Sequence, residues 1–194
     1  MNLALWLTLS RFVMLPLAVL PLALGWRDGG FIAAVVTQLA GLTDFADGIV
    51  ARKMGQTTPL GTNLDFFSDK VYVGALLVTL ASLGLVPAWV PIVIIAREAA
   101  MTGLRFKRFG WLTPSPDLPG KLKTMVSFAA IMWVSMRHDL NSLGAMSSLN
   151  TRFNVAGILS AAPWVVYAAV ALTIISGINY FIQFGDRTKG VAHK

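Results

Sequence analysis

The sequence predicts an all-α protein: an integral membrane bundle of six transmembrane helices with an N-terminal interfacial segment. Three observations predict it. Of the 194 residues, 56% are hydrophobic and only 13% charged, far from the balance of a soluble domain. The apolar residues gather in stretches of about twenty, the length a helix needs to cross a hydrocarbon core. Between those stretches stand glycines, prolines and basic residues, which break helices and mark membrane boundaries. No repeat or low-complexity tract divides the chain, so residues 1–194 read as one domain. With no cysteine there is no disulfide and no thiolate metal site. The net charge of +7 comes from residues flanking apolar spans, without a long basic run. Nucleic acid is therefore not an expected partner, whereas membrane lipids and phosphorylated substrates are.

The elements follow in order. Residues 2–10 carry Trp6 among other apolar residues and suit an interfacial segment leading into a first span over 11–26. Residues 12–24 alone have the length of a signal-peptide core, but several spans follow, so a retained helix is expected. Arg27, Asp28, Gly29 and Gly30 make a turn. A second span over 31–53 begins apolar and ends charged. The third starts near Gly61 with Asp65 and Asp69, then turns apolar from Val71 to Leu83. Gly84 and Pro87 precede a fourth span ending near Arg108, with Arg97, Glu98 and Arg105 in its second half. The run FGWLTPSPDLPG is rich in turn formers and leads to a fifth span over 120–137. Residues 137–154 are polar and read as an external loop. The sixth span, 155–184, is longer than a membrane requires, which leaves room for a separate interfacial piece at its start. Six spans place both termini on one side. Arg27, Arg137 and Arg152 fall on the other side, and the rest of the 16 basic residues lie with the termini. The positive-inside bias then puts both termini and the aspartates below at the cytoplasm.

The stretch from Asp44 to Asp69 sets four carboxylates, Asp44, Asp47, Asp65 and Asp69, in an apolar chain. Charges are costly in such surroundings and need partners. At about 100° per residue, Asp44, Asp47, Gly48 and Ala51 share one helix face with Arg52 at its edge. Gly61, Asp65 and Asp69 recur every four residues and line a face of the next helix, with Gly55 and Pro59 as breakers between. Two antiparallel helices packed on those faces would bring the two pairs together. All-oxygen ligands without nearby His or Cys favour Mg²⁺ or Mn²⁺, and two such ions about 3.5 to 4 Å apart form the usual clamp for phosphoryl transfer. Read from the residues alone, ion-paired membrane carboxylates, a proton relay and a divalent-cation transporter stay open. A transporter calls for carboxylates near the middle of several spans, whereas these collect at one end of two.

The string matches D-x2-D-G-x2-A-R-x8-G-x3-D-x3-D without a gap, at Asp44, Asp47, Gly48, Ala51, Arg52, Gly61, Asp65 and Asp69. On those residues the chain resembles the CDP-alcohol phosphotransferase family. The resemblance implies a phosphatidyltransferase in which the four aspartates hold two metal ions, Mg²⁺ or Mn²⁺. The nucleotide of CDP-diacylglycerol would lie over Asp44, Asp47, Gly48, Ala51, Arg52 and Gly61, and Asp69 would act as general base on the acceptor hydroxyl. The side chains suit those roles: Gly48 and Ala51 leave room for a base and ribose against the backbone, and Arg52 can meet a phosphate. Family members often pair as homodimers, and the apolar spans here leave that state open.

Weaker matches bear on the acceptor. Arg97-Glu98 with Leu104-Arg105, and Gly120-Lys121-Leu122-Lys123-Thr124, resemble elements of the bacterial phosphatidylglycerophosphate synthase branch of the family, whose acceptor is glycerol 3-phosphate. That resemblance implies a cytoplasmic-membrane enzyme with an acceptor phosphate pocket at Arg97, Arg105, Lys121 and Lys123. Topology alone also demands basic residues in cytoplasmic loops. Thr8 and Arg11 resemble that branch's T-x-x-R, with Leu5 where its Asn usually stands. Arg11 reads either as a lipid-phosphate contact or as a snorkelling anchor. Between the third and fourth aspartates the branch commonly has Pro and Ala, where this chain has Phe66, Phe67 and Ser68. The metal positions are untouched by that departure. Inositol phosphate, serine and a phosphatidylglycerol remain alternative acceptors.

Overall fold

A computed structural model describes the backbone of residues 3–54, 59–109, 118–141 and 144–189, and the side chains of residues 10–43, 67–104, 125–140 and 144–179. Those residues are helical, with no strand among them.

Helix α1, Leu3–Ala23, runs without a break through Arg11, so the N-terminal segment continues directly into the first long helix. It contains Pro16 and Pro21, each lacking an N–H and so leaving one turn without its hydrogen bond. Gly25, at φ 65°, stops the helix. The Trp26 N–H reaches back to the Pro21 carbonyl at 3.0 Å and the Gly25 N–H to Leu22 at 3.3 Å, the paired bonds of a left-handed C-terminal cap. Helix α2, Gly29–Met54, starts where a Cβ on Gly30 would run into the Ser135 carbonyl. Only glycine lets the backbones approach so closely there.

Helix α3, Pro59–Ser82, places proline at its first position, where the missing N–H costs no intrahelical bond. It ends as α1 does: Gly84 sits at φ 70° and the Leu85 N–H returns to the Leu80 carbonyl at 2.9 Å. Helices α4, Trp89–Phe109, and α5, Leu118–His138, follow, and Asp139–Asn141 form a 3₁₀ turn.

Within the segment expected as an external loop, 137–154, the structure shows helix. Residues Ala145–Phe153 form helix α6. Two carboxylates fasten this region to the bundle: Asp28 Oδ1 accepts from the Ala145 N–H at 2.7 Å, and Asp139 Oδ2 accepts from the Phe31 N–H at 2.9 Å. Asn154 adopts a left-handed conformation, φ 49°, and ends α6. Helix α7, Val155–Leu159, is a separate short piece before α8, Ala162–Lys189. The surplus length of the last apolar segment is used in that break.

The six long helices α1 to α5 and α8 alternate in direction. The start of α2 at Gly29 and Gly30 lies against Pro21 near the end of α1 and Ser135 near the end of α5, and Arg11, near the middle of α1, meets Ser68, near the middle of α3. Trp89 and Tyr167, at the starts of α4 and α8, stack at 6.2 Å. The ends of α2, α4 and α8 therefore lie with the starts of α1, α3 and α5. Helix α1 packs on α2 and α3, α5 on α2 and α8, and α4 on α3 and α8. The core where they meet is aliphatic, built from residues such as Leu22, Leu76, Leu80, Val90 and Ile131. The outer faces are apolar too, with Val13, Leu17, Val78, Ile92, Ile175 and Ile178 exposed. Among the described residues Val155–Asn179 is long and apolar enough to cross a membrane, and Ser10–Ala23 and Gly29–Thr43 are shorter apolar stretches.

Candidate active site

The aspartate motif falls on two continuous helices. Asp44, Asp47, Gly48, Ala51 and Arg52 lie in α2, and Gly61, Asp65 and Asp69 in α3, so the three- and four-residue spacings keep their helical meaning. The side chains at Asp44, Asp47, Ala51, Arg52 and Asp65, with Gly48 and Gly61, lie outside the described residues, as does that of Thr8. Asp69 is described and half-buried.

Around Asp69 the structure assembles a polar end to an otherwise apolar bundle. Arg11 is only 4% exposed, and its Nη1 donates to the Ser68 hydroxyl at 3.2 Å. It is thus a buried cation against the middle of α3, not an exposed snorkelling anchor. On the other side of Asp69, the Lys70 ammonium meets Glu98 Oε2 at 2.9 Å. Glu98 also accepts from Arg97 Nη1 at 2.7 Å, and Arg97 Nη2 donates to the Ser176 hydroxyl at 2.7 Å. One carboxylate thereby joins α3 to α4, and the guanidinium joins α4 to α8. Gly177 makes room for this, since a Cβ there would lie 3.3 Å from Arg97 Cγ.

Arg97 pairs with Glu98, its neighbour in the chain. Two of its nitrogens are engaged by protein oxygens, and its Nε is buried with no described partner. The other residues proposed for an acceptor phosphate, Arg105, Lys121 and Lys123, have side chains outside the described residues. Their helices place all three positions at the same end as Asp69.

Below the aspartates, α2 and α3 meet through a buried hydroxyl pair: Tyr72 donates to Thr37 Oγ1 at 3.4 Å. The Tyr72 ring stacks on Phe128 at 6.3 Å, and Phe128 in turn lies over Gly41. Tyr72 is one turn from Asp69 and Thr37 two turns from Asp44, so this contact joins the helices just beneath the motif, while both helices pack on α1.

The donor set fits a hard divalent cation. The motif supplies carboxylate oxygens only, and His138 stands at the far end of α5. Among the described residues, which leave out the side chains of Asp44, Asp47 and Asp65, no group of three or more His, Cys, Asp or Glu could hold a metal. The sequence reading missed Ser68, Lys70, Ser176, Thr37 and Tyr72. Each is an ordinary helix residue whose partner is distant in the chain, and only the FFS departure drew attention to Ser68.

A helical chain carrying paired carboxylates on two adjoining helices, with cations gathered at the same end, has the build of a phosphoryl-transfer enzyme. The family model for CDP-alcohol phosphatidyltransferases matches residues 1–179, and the chain belongs to that family. Its relatives include a Bacillus subtilis CDP-diacylglycerol–glycerol-3-phosphate 3-phosphatidyltransferase, 32% identical over 94% of this chain and 95% of the relative. The Haemophilus influenzae protein of the same name is 32% identical over 92% and 91%. A Mycobacterium tuberculosis protein named "Probable phosphatidylglycerophosphate synthase" is 35% identical over 92% of this chain and 79% of its own length.

Proposed function

We propose that this enzyme transfers the phosphatidyl group of CDP-diacylglycerol to glycerol 3-phosphate, giving phosphatidylglycerophosphate and CMP. The observation that carries the reading is the unbroken eight-residue motif on α2 and α3, in a chain whose full-length relatives bear that activity in their names.

The chain's residues divide the work. Asp69 takes the proton of an acceptor hydroxyl as that oxygen bonds to the phosphatidyl phosphorus. The bond from that phosphorus to the CMP oxygen breaks, and CMP leaves. Gly48 and Ala51 keep the α2 face low for the nucleotide, and Arg52 meets one of its phosphates. Asp44, Asp47, Asp65 and Asp69 hold two Mg²⁺ or Mn²⁺ ions, which supply neutralising charge for the pyrophosphate. Arg105, Lys121 and Lys123 bind the acceptor's phosphate, with Arg97 steadied beside them by Glu98 and Ser176.

The protein resides in the bacterial cytoplasmic membrane, with the six long helices as spans and the aspartates and both termini at the cytoplasm. At 1.5 Å per residue, even the shortest of them, 21 residues, exceeds the roughly 30 Å of a hydrocarbon core. Apolar outer faces support this placement.

Phe66, Phe67 and Ser68 favour a second reading, the same transfer to another alcohol. Purified enzyme given CDP-diacylglycerol and, in turn, glycerol 3-phosphate, glycerol, serine, inositol phosphate and phosphatidylglycerol decides between them. Glycerol 3-phosphate should be preferred by tenfold or more, as one charge-assisted contact of about 1.5 kcal/mol allows. Equal turnover with free glycerol or serine would end the acceptor assignment.

A further inference from the structure

At the end of the bundle opposite the aspartates lies a cavity of about 390 Å³, between the α3–α4 turn, the last turn of α5 and the first turns of α8. Its lining mixes apolar groups, Pro87, Val134, Val166 and the ring of Tyr167, with polar surface that includes Arg137 and His138. No Asp or Glu lines it. No described residue forms an ion pair or hydrogen bond with the exposed Arg137 side chain. A cation without a described protein partner in a cavity lined by both polar and apolar groups is set out for an anion that carries hydrocarbon.

Beside the cavity, Trp89 stacks on Tyr167 and Trp164 meets the same ring edge-on at 6.4 Å. Trp164 is 75% exposed, and Trp26 lies at this end as well. Indole and phenol rings collect at the headgroup level of a bilayer. The cavity mouth therefore lies at the depth of lipid phosphates, within reach of acyl chains.

We propose that this cavity binds the headgroup phosphate of an anionic phospholipid from the leaflet opposite the active site, with Arg137 and His138 on the phosphate and an acyl chain along Val134, Val166 and Tyr167. The absence of a lining carboxylate leaves nothing to hold an ammonium, so a headgroup with phosphate and no amine fits better than a zwitterionic one. The inference rests on the membrane placement above and is independent of the acceptor.

The test uses the full chain in a non-ionic detergent and counts lipids held in native mass spectrometry. Dioleoyl-phosphatidylglycerol should bind with one site that Arg137→Gln combined with His138→Gln weakens by about tenfold or more, the effect of losing charge-assisted contacts. Arg137→Lys should keep most of the binding. Asp69→Asn, at the other end, should leave the site unchanged, which separates it from lipid held by the catalytic end. Phosphatidylcholine with the same chains should bind several-fold more weakly, and millimolar inorganic phosphate should not displace the lipid. Arg137 is exposed, and the double variant should retain turnover, which certifies its fold. Equal binding by wild type and double variant overturns the proposal. So does equal affinity for the two lipids, or displacement by inorganic phosphate, which would mark a free-anion site. A chain that stays soluble without detergent would instead refute the membrane placement.

Discussion

Glu98→Gln should destabilise the enzyme more than any other single neutralisation outside the aspartate motif. Glu98 faces two cations, Lys70 at 2.9 Å and Arg97 at 2.7 Å. The three side chains are 22%, 15% and 17% exposed for Lys70, Arg97 and Glu98. Removing one member of a fully buried ion pair costs about 3–5 kcal/mol, because the other charge is left without a partner. Partial access to water reduces that to about 2–3 kcal/mol here. Glutamine keeps the shape and one acceptor oxygen, but two ammonium-type charges then face each other across α3 and α4. For a chain of this length each kcal/mol moves the melting point by about 2–4 °C. Scanning fluorimetry in detergent should therefore show a drop of about 4–12 °C. Lys70→Met combined with Glu98→Gln should recover part of the loss, since the Lys70 charge no longer stands opposite Arg97. A Glu98→Gln melting point within 1 °C of wild type, or losses in the two single variants that simply add, would refute the reasoning.

Three further outcomes are expected. Asp69→Asn should abolish turnover while leaving CDP-diacylglycerol binding largely intact, as measured by lipid-nucleotide titration, because the amide keeps the shape and loses the base. Burial raises the Asp139 pKa above its ordinary 3.8, against the lowering effects of the Phe31 N–H, His138 and the Gly30 N–H, while Asp28 adds to the rise. The folded state then binds the proton more tightly than the unfolded one, so stability falls as pH rises from about 3.8 through the raised pKa. Melting curves of Asp139→Asn should lack that slope, and an identical slope would refute it. Single cysteines at Thr58 and Pro116 should be labelled only from the cytoplasmic side and one at Ser148 only from the other; the chain has no native cysteine to confuse the result.

The helix order was legible because most of the punctuation is strong: Gly84 ends a helix in the left-handed conformation that glycine tolerates, and Pro59 opens one. Gly25 ends α1 in the same conformation, inside the 11–26 span read from the sequence, because a lone glycine in an apolar run does not by itself stop a helix. The break before α8 was legible from length alone. Residues 145–153 read as loop because a short helix with Ser147, Ser148, Asn150, Thr151 and Arg152 has no apolar stripe long enough to register. What stabilises it is the Asp28 carboxylate, distant in sequence, on the Ala145 N–H. The Arg97–Glu98 pair could be read from adjacency, whereas the Lys70 and Ser176 contacts that extend it join helices whose facing register no local pattern states. The motif itself was legible because mid-helix carboxylates in an apolar chain are rare.

The two ends of the bundle use the same side chain in opposite ways, and the difference argues for metal at one of them. Asp28 and Asp139 lie at helix starts, where free N–H groups satisfy them: Ala145 at 2.7 Å and Phe31 at 2.9 Å. Asp44 and Asp47 lie well inside α2, and Asp65 and Asp69 lie beyond the first turn of α3. There the backbone N–H groups are consumed by the helix, so these carboxylates need partners from outside it. Arg11, at Ser68, and Lys70, at Glu98, stand nearby. The four carboxylates on these two helices supply the oxygen ligands that the proposed divalent ions need. Millimolar Mg²⁺ or Mn²⁺ added to chelator-treated enzyme should therefore raise its melting point, with a ligand at 100 times its dissociation constant adding about 2.7 kcal/mol. Asp44→Asn combined with Asp47→Asn should abolish that rise, and Asp28→Asn should not. Chelated and metal-loaded enzyme melting at the same temperature would refute a bound metal and leave the aspartates to share protons instead.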